Sequence, residues 1–215
     1  MDNTISIMSG KPLLKINREF RELKTEATIV VGNLFRQNVF ERRNEGEKVD
    51  RDRSSVIDYL IGREKFDTYV YHCYGSDDKQ YLSRTFKNLN NYHQFDRLSF
   101  SEMVGNKKIV GISGFYNKNK SGKYSFTDND FFTITNREQW CDILCINSLS
   151  IDGEIQFSVE FYNMLYKLRP KLLIIGNNTK FELTKFPTTN IQTIFLSKND
   201  HILYDMTNEV LFRKL

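Results

Sequence analysis

The sequence is short of several residue types, and each shortage removes a class of protein. Cysteine occurs three times, as Cys73, Cys141 and Cys145. An odd, widely spaced trio is not the framework that staples small secreted domains. All three lie among apolar neighbours, which predicts buried thiols. Histidine is equally scarce, and His72, His93 and His201 are scattered. Even Cys141 and Cys145 taken with His72 lack the tight ligand spacing of a zinc site, so no metal site is predicted. No apolar run approaches the roughly 20 residues needed to span a bilayer. The opening Met1-Asp2-Asn3-Thr4 has neither the basic nor the apolar block of a signal peptide. These absences predict a cytoplasmic or otherwise intracellular chain with no membrane partner. Charge of one sign is lacking too: 31 basic groups face 27 acidic ones, for a net +4. That balance permits contact with nucleic acid without the dense basic stripe of a dedicated DNA-binding domain.

What is present is aromatic. Phe (17) and Tyr (11) fill the place of scarce alanine and methionine, and the 40% hydrophobic content excludes a disordered chain. A length of 215 residues suits a single domain over 1–215 with a substantial core. The organising stretch is Pro170-Lys171-Leu172-Leu173-Ile174-Ile175-Gly176-Asn177-Asn178. Its apolar run does not alternate and is bounded by turn residues, which predicts a strand buried on both faces. Thr28-Ile29-Val30-Val31-Gly32-Asn33 repeats the signature. Residues 152–169 read as an amphipathic helix, with a strand followed by a helix as the open alternative, and further buried strands are expected over 67–73, 142–146 and 191–196. Residues 131–135 read as a short strand, and 202–206 with 210–212 as a terminal hairpin. Helices are expected over 13–23, 54–60 and 81–89. The alternation predicts an α/β fold: a three-layer sandwich on a mostly parallel central sheet.

Two segments depart from that alternation. Residues 41–53 hold five acidic and five basic groups with Val49 as the one apolar anchor, which predicts a mobile charged loop. Residues 107–126 read as an antiparallel hairpin extension with a basic tip at Lys118, Lys120 and Lys123, a candidate phosphate contact. Lys120-Ser121-Gly122-Lys123 is not a phosphate-binding loop, because Asn117 stands where the first glycine belongs.

If the strands share a direction, their carboxyl ends bring together Gly32, Asn33, Asn147, Gly176, Asn177 and Asn178, with Arg36 close by. Glycine admits close backbone approach, and each Asn amide offers both donors and acceptors. Such a set suits a base, a sugar or another amide-like group. His201 beside Asp200 is the best candidate acid-base pair by residue type. The expected function is therefore binding or processing of a nucleotide or nucleic-acid component at this rim, with any cofactor unknown. An alternative is a protein-protein interaction factor without catalysis. A further one is a Mg-dependent restriction-type nuclease, with carboxylates Asp142 and Glu154 ahead of Gln156. The element order also resembles that of uracil-DNA-glycosylase-like proteins. That resemblance implies a water-activating loop at Gly32–Arg36 and a base-gripping loop at Ser197–His201. Neither loop carries that family's motif.

Overall fold

The computed structural model describes residues 3–9, 25–34, 68–75, 78, 89–96, 100–119, 122, 124–151, 154–155, 157–186, 188–197 and 200–214. In chain order the strands begin with β1 (Thr4–Met8), β2 (Ala27–Val31), β3 (Tyr69–Cys73) and β4 (Tyr92–Gln94). They continue with β5 (Ser101–Val104), β6 (Lys107–Ile112), β7 (Phe115–Tyr116), β8 (Ser125–Phe126) and, after helix α1 (Asp128–Arg137), β9 (Ile143–Ile146). Next come β10 (Ser150–Ile151), β11 (Glu154–Ile155), helix α2 (Val159–Leu168) and β12 (Leu172–Asn178). The last are β13 (Glu182–Lys185), β14 (Gln192–Ser197), β15 (His201–Asp205) and β16 (Val210–Lys214).

The fold is α/β and its pairing mostly parallel, and the strands divide between two six-stranded sheets. The first has the order β16-β15-β1-β2-β3-β4 and the second β13-β14-β12-β9-β6-β5. β1 to β4 run parallel, as do β6, β9, β12 and β14, while antiparallel strands lie toward the edges. No helix among the described residues is long and apolar enough to cross a membrane.

Strand β12 shows why an unbroken apolar run was needed. Leu172 and Ile174 point between the sheets, into a core with Ile29 and Val31 of the first and Ile143, Cys145 and Ile194 of the second. Leu173 and Ile175 point the other way, onto Phe161, Met164, Leu165 and Leu168 of α2. One face is thus covered by a sheet and the other by helices. Ser158 caps α2 by accepting a hydrogen bond from the Phe161 N–H at 3.2 Å. The helix stops at Arg169, which turns left-handed (φ 49°), and Pro170 prevents its continuation. All three cysteines are free and buried.

Three expectations are corrected. Residues 131–135 are helical, because Thr127 and Asp130 form a capping box and Phe131, Ile134 and Thr135 then fall on one buried face. Strand propensity yields there to capping and packing. The 152–169 segment is a strand followed by a helix: β11 pairs antiparallel with β10, and α2 begins only after Ser158. Residues 107–112 are not a hairpin arm. As β6 they pair parallel with β9 and antiparallel with β5, inside the second sheet. The terminal hairpin forms as expected, its turn held by Asp205, which accepts the N–H groups of Thr207 and Asn208. The expected helices over 13–23, 54–60 and 81–89 and the charged loop 41–53 lie outside the described residues, apart from Leu89.

Candidate functional site

Both sheets end their parallel strands at one rim. A Cβ placed on Gly176, after the apolar run of β12, would come within 2.8 Å of Val31 Cγ1 and 2.9 Å of the Val31 carbonyl oxygen in the other sheet. It would also lie 3.0 Å from the Asn147 carbonyl, beyond β9. Two further ties cross between the sheets: Gly114 N–H donates to the Tyr74 carbonyl at 2.7 Å, and Ser113 Oγ accepts from the Tyr74 N–H at 3.0 Å. The structure therefore brings together Gly32, Asn33, Asn147, Gly176, Asn177 and Asn178, the set read from the sequence. Arg36 lies outside the described residues.

Their roles in the rim differ. Asn147 is buried, and its Nδ2 donates to the Gly114 carbonyl at 2.5 Å while its Oδ1 meets no hydrogen-bond donor among the described residues. Asn177 is exposed in the left-handed region (φ 58°), which Asn tolerates better than most residues. Asn178 turns its Nδ2 back onto the carbonyls of Ile175 (2.8 Å) and Gly176 (3.2 Å), and so shapes the turn. The pairing of β12 with β14 shifts register between Ile175 and Asn178, a bulge that bends the strand end. The Asn33 amide occupies the space above Gly75, where any side chain would collide with it.

The anchor of this rim is Asp78, one of the charged residues that the sequence puts near it. Asp78 is fully buried; its Oδ1 accepts from the Leu34 N–H and its Oδ2 from the Gly75 N–H, both at 2.9 Å. Oδ2 also lies 3.3 Å from His72 Nε2, which is 2.9 Å from the Gly32 carbonyl. His72 Nδ1 meets the Tyr92 hydroxyl at 2.5 Å. Burial pushes the Tyr92 phenol well above its ordinary pKa, with the Asp78 charge adding to the effect. One carboxylate thus ties the loops after β2 and β3 together beneath Asn33. The signal available in sequence was an Asp three residues past a Gly that ends a buried strand.

Asp200 and His201 lie where β14 turns into β15, at the same rim: Ser197 pairs with Asn178 of β12, and the Asp200 carbonyl accepts from the Ser9 N–H past β1 at 3.0 Å. Asp200 Oδ2 accepts from the N–H and the hydroxyl of Ser197, both at 2.7 Å, which closes the turn. His201 is buried in β15 opposite Met8 of β1, and burial lowers its pKa to about 4. A base whose folded pKa falls below its unfolded value near 6.5 stabilises the fold above pH 6.5 and loses that contribution as pH falls toward 4. The loss amounts to about 3 kcal/mol. Denaturant melts at pH 7 and pH 4 should therefore differ less in His201→Gln than in the unaltered protein. Equal differences would remove His201 from the account.

The nuclease constellation does not assemble. Asp142 precedes β9 and so stands at its amino end, where its Oδ2 accepts the Lys108 N–H at 2.9 Å. Glu154 follows the far end of the same strand. Lys118 is exposed beyond β7; Lys120 and Lys123 lie outside the described residues.

No protein-family model matches the sequence, and no curated protein is significantly similar to it. Solved structures share its fold. The protein TT1561 of Thermus thermophilus superimposes with a TM-score of 0.67 at 12% identity, over 97% of each chain. A second crystal structure gives 0.66 at 10% identity, over 100% of this chain and 99% of the other. Looser likenesses are a novel archaeal phosphodiesterase (TM-score 0.49, 10% identity, 98% of each chain) and a dimetal phosphatase from Danio rerio (0.48, 12%, 93% and 91%). At these identities the likeness is one of fold. Among the described residues, no group of three or more His, Cys, Asp or Glu is placed to hold a metal ion.

Proposed function

We propose that this protein binds a nucleotide or nucleic-acid component at the carboxyl-end rim, through hydrogen bonds and without a metal. The observation that carries the reading is Asn147, a buried amide between the ends of β6 and β12 whose Oδ1 lacks a donor among the described residues. An acceptor left unpaired in a buried place is costly unless something supplies a proton to it. An exocyclic amine or ring N–H of a base has the right chemistry. Gly176, packed against Val31, leaves the backbone beside Asn147 without a side chain, and Asn177 is exposed next to it.

The test is a panel of nucleosides and nucleotides in thermal-shift measurements with a chelator present. A ligand at 100 times its dissociation constant adds about 2.7 kcal/mol of stability. Asn177→Gly preserves the left-handed turn and removes the amide, so it should leave the unliganded melt nearly unchanged and weaken the ligand's effect. An equal ligand response in this variant would count against the rim.

A second reading, association with a protein, is favoured by the edge strands. Val210 and Phe212 on β16 and Leu183 on β13 are exposed apolar residues at the margins of the two sheets.

A further inference from the structure

The amino-end rim, a strand length away from the Asn cluster, carries a surface of different chemistry. The α1–β9 connection and the end of α2 meet there: Cys141 N–H donates to the Leu168 carbonyl at 3.1 Å and Lys171 N–H to the Asp142 carbonyl at 2.9 Å. Two aromatic rings stand out from this junction, Tyr166 at 73% exposure and Trp140 at 47%. Both line one depression of about 550 Å³, together with Gln139, Lys167 and Arg169. Tyr166 and Arg169 also wall an adjoining depression of about 600 Å³ that runs past Lys171 to Asn190. A single exposed ring is ordinary on a protein surface. Two rings around one depression, continued by a second, form a track.

The charges along this track are cationic. Lys108 Nζ lies 5.2 Å from the centre of the Trp140 ring, and the Arg169 guanidinium carbon 5.8 Å from that of Tyr166. Lys107, Lys108 and Lys171 are paired with Asp142, Glu138 and Glu209. Among the described residues, no carboxylate comes within ion-pairing distance of Lys167 or Arg169. Both therefore offer their charge to an outside anion, just past the Tyr166 ring in sequence.

We propose that this surface binds single-stranded nucleic acid, with bases stacking on Trp140 and Tyr166 and phosphates meeting Lys167 and Arg169. Every base has a face that stacks on an aromatic ring, so such a track is tolerant of sequence, and its affinity falls with salt. An anionic peptide would satisfy the cations but leave the rings without planar partners.

Trp140 is the sole tryptophan of the chain, so its emission reports the site directly. Titration with a 12-residue oligothymidylate in low salt should quench it. The slope of log affinity against log salt should be about −1.4 for two phosphate contacts on a single strand. Tyr166→Ala should weaken binding roughly 5- to 100-fold, the loss of one stacked base. Lys167→Gln with Arg169→Asn should flatten the slope toward zero; Asn suits the left-handed turn at 169. All three positions are at the surface, and unchanged melting temperatures would verify folding. Absence of quenching, or full affinity in both variants, would overturn the proposal, as would equal quenching by polyglutamate of matched charge. A mononucleotide seated at the Asn rim lies at the far end of β9 and should leave Trp140 emission unchanged, so the two sites stand or fall separately.

Discussion

Replacing Asp78 with Ala should cost roughly 2–5 kcal/mol of stability, because two buried N–H groups lose a shared acceptor at about 1–3 kcal/mol apiece. The substitution leaves the N–H groups of Leu34 and Gly75 without their acceptor and His72 without its charged neighbour, all beneath the surface. Asp78→Asn keeps one carbonyl oxygen in place and should recover part of the loss. Urea unfolding of the three proteins measures this. A cost under about 1 kcal/mol for the Ala variant would mean that the loops after β2 and β3 hold their places without the carboxylate. Because those loops carry Asn33 and Gly75, the same substitution should also weaken any ligand bound at the rim.

Ile174→Ala should be of similar size, about 2–5 kcal/mol, from lost burial and the cavity left between the sheets. Ile174 is fully buried and lies opposite Cys145 of β9 and Ile194 of β14. Its neighbour Leu173 points into the helical layer, so Leu173→Ala removes contacts from a different cluster. The two costs should therefore add in the double variant to within a few tenths of a kcal/mol if the clusters do not couple. A negligible effect of Ile174→Ala would contradict the two-sided burial of β12.

That burial was readable in the sequence because a run such as Leu172–Ile175 can be soluble only if both faces are covered. What covers each face was not readable. A strand packed between a sheet and helices has the same apolar run as one packed between two helix layers, so the second sheet stayed hidden. The rim followed from strand direction alone, which explains why Asn33, Asn147 and Asn177 were found, while Asp78 read only as a charged residue near it, without its bonding role. Its partners Leu34 and His72 come from other parts of the chain, and only the folded protein shows them side by side. Strand direction also excludes Asp142 from the rim: a residue just before a parallel strand stands at its amino end. The helix at Asp128–Arg137 was masked by Phe131-Phe132-Thr133-Ile134, residues favoured in strands, although Thr127 with Asp130 spelled out its start.

The central claim, that the Asn-lined rim takes a nucleotide or base without a metal, is tested most directly by mapping backbone amide shifts by NMR. The ligand is the nucleotide giving the largest thermal shift, added in the presence of a chelator. The account predicts that perturbations concentrate at Gly32–Asn33, Gly114, Asn147–Ser148 and Gly176–Asn178. Perturbations confined to other surfaces, or appearing only when divalent metal is restored, would contradict it.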